Sequence, residues 1–180
     1  MLIANQKREE NIAEYLLYMW QVEDIIRAHK LDIISIQKNI IDKFDQPEEV
    51  RKEIWIWYQN LIDMMISEGV KEKGHLQINK NVIINLSDLH LRLLNTPQES
   101  IYITNYYKTL PFIVELRNNI QDKNIPEIET CFSALYGFLL LKLKQTEVSG
   151  ETQAAISQIG SLLRLLSQKY KEEKINSSNT

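Results

Sequence analysis

Apolar residues recur along this chain at intervals of three and four and rarely alternate, so the period is helical nearly from end to end. The pattern predicts a first helix from about Gln6 to His29 and a second from about Asp32 to Phe44. A third starts at Pro47, where Glu48 and Glu49 suit the positive end of the helix dipole, and runs to about Glu68, where Gly69 stops it. The stretch "EGVKEKGHLQINKN" then breaks the period with two glycines and polar residues. It reads as an ordered loop over about 69–80, with a short hairpin as the lesser alternative. A fourth helix is expected over about Asn81 to Asn95.

Thr96, Pro97 and Glu99 form a capped start for a fifth helix, with Pro111 inside it, where a kink or break is expected. A sixth, from about Pro126 to Lys144, is apolar on nearly every side between Cys131 and Leu141 and reads as the central helix. The seventh runs from about Glu151 to Glu173. The fold class is therefore all-α: one domain over residues 1–175, seven helices in an irregular bundle, and a flexible polar tail over 176–180. No internal repeat or linker interrupts it.

Within the first predicted helix, "YMWQVEDIIRA" sets Glu23, Asp24 and Arg27 among large apolar side chains. At roughly 100° per residue, Glu23 projects between Ile12 and Leu16 and Arg27 between Leu16 and Trp20, so both point inward. Asp24 lies nearer the edge. Glu23 and Arg27 are spaced i, i+4 with the acid first, the favourable order. Because an unpaired inward carboxylate is costly, a structural ion pair is the first reading. The second is a clamp for a polar ligand, walled by Trp20, Tyr102 and Tyr106, with Glu23, Arg27 and His90 as polar contacts. An acid or base role for Glu23 or His90 comes third.

Composition narrows these choices. The 180 residues are 44 % hydrophobic, enough for a sizeable core, and the formal charge of −3 comes without a basic stripe, which argues against nucleic acid. The longest apolar run, "ALYGFLLL", is too short to span a bilayer, and no signal-peptide core is expected. The single Cys131 lies in an apolar run with no neighbouring base and reads as a packed thiol in a reducing, cytoplasmic setting.

"EKGH", Glu72 to His75, has a spacing found in di-iron bundles, but one copy in a glycine-bounded loop reads as solvated charge rather than metal ligands. No motif asks for a cofactor, and no catalytic residue is assigned. Trp55, Trp57, Tyr58, Tyr102, Tyr106 and Tyr107 cluster on two helices; packing is the plain reading, with a pocket edge or interface as the alternative. The seventh helix carries a stripe of Ile156, Ile159, Leu163, Leu166 and Tyr170 that could pair two copies.

The stretches "MLIANQKREENIAEYLLYMWQVEDIIRA", "GHLQINKNVIINLSDLHLRLL" and "YYKTLPFIVELRNNI" resemble a bacterial family known only as a domain of unknown function, over almost the whole chain. The resemblance implies a short, all-helical, cytosolic protein and supplies no activity, cofactor or site residue. The leading functional expectation is a non-enzymatic helical interaction protein that forms a homodimer.

Overall fold

The computed structural model describes residues 2–118 and 124–178, and among them every regular element is helical. The elements are α1 (Leu2–Glu10), α2 (Ile12–Ala28), α3 (Ile33–Asn39), a 3-10 turn (Ile41–Lys43), α4 (Glu48–Ser67), α5 (Gln77–Leu94), α6 (Ser100–Asn118), α7 (Glu127–Leu143) and α8 (Gly150–Ser178). The expected first helix is thus two. Asn11 interrupts it because its side-chain oxygen accepts the Ala13 N–H at 3.0 Å, which makes Asn11 the cap of α2 rather than an interior residue.

Other boundaries follow local chemistry. Asp32 caps α3 by accepting the Ile34 N–H at 2.9 Å. α4 closes with the Val70 N–H on the Met65 carbonyl and the Gly69 N–H on that of Ile66. That motif needs a left-handed residue, supplied by Gly69 at φ 70°. α6 runs through Pro111 without the break expected there; the residue is exposed, so the carbonyl lacking its partner can be hydrated. α8 continues to Ser178, past the point where a flexible tail was expected to begin, and residues 179–180 lie outside the described residues.

The elements gather into two compact units, one holding residues up to Glu10 with Glu14–Asn81, the other Asn11–Ala13 with the residues from Val82 onward. In the first, α3, the 3-10 turn and α4 pack together, and Leu16, Met19, Ile26, Ile36, Met65 and Leu76 are fully buried. In the second, α8 packs on α6 and α7, burying Phe132, Ile113, Ile159 and Leu162.

Two consequences bear on the surface. Ile159, Leu163 and Leu166 of the expected pairing stripe are buried inside the second unit, which leaves only Ile156 and Tyr170 partly open. α7 is not enclosed along its length either. Ile128, Cys131 and Phe132 are buried, but residues 134–140 are only half-buried, and Leu141 and Leu143 are 39 % and 68 % exposed. Its apolar composition reported a preference for burial, not the number of neighbours available. Among the described residues no helix is long and apolar enough to cross a membrane.

Candidate functional site

α5 begins four residues earlier than its periodicity predicts, and its first turn lacks any local cap. Leu76 occupies the cap position, where its carbonyl accepts the Asn79 and Lys80 N–H groups, and a Leu side chain cannot accept a hydrogen bond. The caps come from elsewhere in the chain. Glu23 Oε1 accepts the Leu76 N–H at 2.9 Å and Asn79 Nδ2 at 2.7 Å. Glu68 Oε2, from the end of α4, accepts the Gln77 N–H at 2.6 Å. Two carboxylates therefore meet the positive end of α5, where the helix dipole and the free N–H groups favour negative charge.

Glu23 has no solvent exposure, so its charge must be satisfied internally. Its second oxygen, Oε2, lies 2.6 Å from His75 Nδ1, and the His75 ring stacks on Trp20 with centroids 4.2 Å apart and planes 12° from parallel. Arg27 Nη2 is 4.0 Å away, the outer limit of an ion pair. The expected Glu23–Arg27 pair is thus the weak contact. Arg27 bonds Asp24 at 2.9 Å instead and donates to the carbonyls of Val70 and Gly74. Gly74 itself adopts φ 87°, a conformation that brings its carbonyl into the loop's turn without a Cβ penalty. Carboxylate and guanidinium together fasten the 68–76 loop to α2.

His75 is the residue that sequence reasoning missed. Read as a solvated loop charge, it stacks on Trp20 and is 29 % exposed. The available signal was Glu23 itself: an inward carboxylate requires several donors, and Arg27 alone supplies too few. Among the described residues no group of three or more His, Cys, Asp or Glu side chains is placed to hold a metal ion.

Trp20, Glu23 and Arg27 belong to the first unit; His90, Tyr102 and Tyr106 belong to the second and form their own cluster. His90 Nδ1 is 2.6 Å from the Tyr102 hydroxyl, and Nε2 is 3.8 Å from Glu127 Oε2. That same oxygen accepts the Tyr106 hydroxyl at 2.9 Å, while Arg117 lies 3.6 Å from Glu127 Oε1. With its proton on Nε2, facing the carboxylate, His90 accepts the Tyr102 O–H at Nδ1. His90 and Tyr102 are buried, and both rings of the two tyrosines meet the imidazole edge-on.

The electrostatics of this cluster are those of packed groups. Burial pushes the Tyr102 phenol well up, pushes Tyr106 up to about 12 with help from its bond to Glu127, and pushes the Cys131 thiol up to about 12. A thiol so protonated at neutral pH is a poor nucleophile. Glu127 goes the other way: His90, then Tyr106 and Arg117, hold its carboxyl below its ordinary value near 4.5, against the opposing effect of burial. A lowered folded-state value means a stabilising contribution that is complete above about pH 4.5 and lost as pH falls through the lower value. Glu127→Gln is therefore expected to flatten the acid limb of the stability profile in urea melts below about pH 4.5. An unchanged acid limb would exclude this role for Glu127.

In both clusters the carboxylate is already engaged. Both Glu23 oxygens are engaged by close donors, and Glu127 is shared by a phenol, an imidazole and a guanidinium. No curated protein and no solved structure matches the chain. Residues 1–177 match the family described as Domain of unknown function (DUF4924), and the chain belongs to that family.

Proposed function

We propose that this protein is a non-catalytic helical interaction module that works as a homodimer in the cytoplasm. The carrying observation is the second half of α7, where a run of apolar residues from 134 to 141 stays half-buried or exposed and Leu143 beyond it is 68 % exposed. A two-fold contact places the same apolar face on both sides of an interface, an economical way to hide it. Gly137 lies within this segment with nothing near the place where its Cβ would be, so a second helix can approach closely there. Lys142, whose ammonium lies 5.2 Å from the Phe138 ring centroid, supplies a polar rim. A reducing cytoplasmic setting suits the lone, buried Cys131.

Light scattering coupled to size exclusion tests this reading at micromolar protein. The wild-type chain is expected to run as a dimer, and a Leu139→Glu/Leu143→Glu variant, altered on one α7 face, as a monomer with unchanged helical circular dichroism. A monomeric wild-type chain, or a dimer indifferent to both substitutions, would overturn it.

A further inference from the structure

The first unit carries an open concavity of about 380 Å³ beside the 3-10 turn and the start of α4, within the size range of small-molecule sites. Gln37, Asp42, Arg51 and Trp55 line it, together with Glu48 and Lys52, an exposed ion pair at 2.9 Å on its rim. That pairing leaves two opposite charges. Among the described residues neither the Arg51 guanidinium nor the Asp42 carboxylate has an ion-pair or side-chain hydrogen-bond partner, and Arg51 Nε is buried without an acceptor.

A half-buried guanidinium that lines the concavity without an ion-pair partner is an unsatisfied donor, and the group that best fits its planar fork is a carboxylate. A lone anion fits the concavity poorly because Asp42 faces the same space. A ligand bearing both charges suits both groups. Trp55, one turn after Arg51 on the same helix face and half-buried, offers a flat apolar wall beside them.

We propose that this concavity binds a free α-amino acid, with the ligand carboxylate on Arg51, its ammonium on Asp42 and its side chain against Trp55. The site is independent of the α7 face, so it stands whether or not the chain dimerises.

Saturation-transfer NMR with a mixture of the standard α-amino acids at millimolar concentration tests it on the full chain. Transfer to at least one of them is expected, lost in Asp42→Asn and Arg51→Met while the melting temperature holds. Blocking either charge of the ligand, as its N-acetyl or α-amide form, is expected to weaken binding by at least about tenfold, the loss of one charge-assisted bond. If Arg51→Met impairs folding, Arg51→Lys, which keeps the charge but not the fork, is expected to weaken binding instead. No transfer to the wild-type chain, binding that survives in Asp42→Asn or Arg51→Lys at full strength, or equal binding of the blocked ligands would overturn the proposal.

Discussion

Glu23→Ala is expected to lower the unfolding free energy by about 3–5 kcal/mol, the range seen when one member of a buried charge network is removed. The loss has three parts. The Leu76 N–H and Asn79 Nδ2 lose their shared acceptor in the interior, α5 loses one of the two negative charges at its first turn, and the His75 ring loses its polar partner. A domain holds only about 5–15 kcal/mol in total. Urea unfolding followed by circular dichroism should therefore show the midpoint moving far to the left. Glu23→Gln keeps one acceptor oxygen and turns a donor toward a donor, so a smaller loss of about 1–3 kcal/mol is expected. Equal stability of wild type and both variants would show that the carboxylate has no structural role.

Trp20→Ala is the second large effect, again about 3–5 kcal/mol, because a nearly inaccessible indole leaves a void the surroundings only partly fill. Trp20 also holds the His75 ring flat against it, at the ring separation of a stacked pair. Loss of Trp20 should therefore weaken the hydrogen bond from His75 to Glu23, and the two substitutions should not add. In the Trp20→Ala/Glu23→Ala cycle, the combined loss should fall short of the sum by more than the roughly 0.5 kcal/mol expected of independent sites. Simple additivity would separate the indole from the carboxylate's function as a clasp.

How much of this was legible in the sequence depends on whether the causes were local. α4 was: Pro47, Glu48, Glu49 and Gly69 are boundary signals that act within one turn, and the helix spans Glu48–Ser67. The inward aim of Glu23 was legible too, since it follows from helical projection alone. The start of α5 was not, because its caps are Glu23 and Glu68, distant in sequence from Leu76 and Gln77. The weight given to Arg27 failed for the same reason: an i, i+4 partner is visible in a sequence, whereas His75, 52 residues on, becomes a partner only after the loop closes. α7 shows the converse limit. Its run of Leu, Phe and Tyr announces burial, yet its second half is covered on too few sides to obtain it.

Asn11 and Pro111 show how a single residue can be read too weakly or too strongly. Asn11 was available as a cap signal and ends α1 by making a bond its own side chain can reach. Pro111, where a kink or a break was expected, does not break α6: at an exposed position water can take the place of the missing donor, and the helix continues.

Glu23 is the remote cap of α5, and its carboxylate helps to hold the fold together. Amide hydrogen exchange at Leu76, read by NMR, tests it most directly. Strong protection of that amide is expected in the wild-type chain, and in Glu23→Ala, which removes both acceptor oxygens, a loss of protection larger than that of α4 amides such as Leu61. Equal Leu76 protection in the two proteins would contradict it.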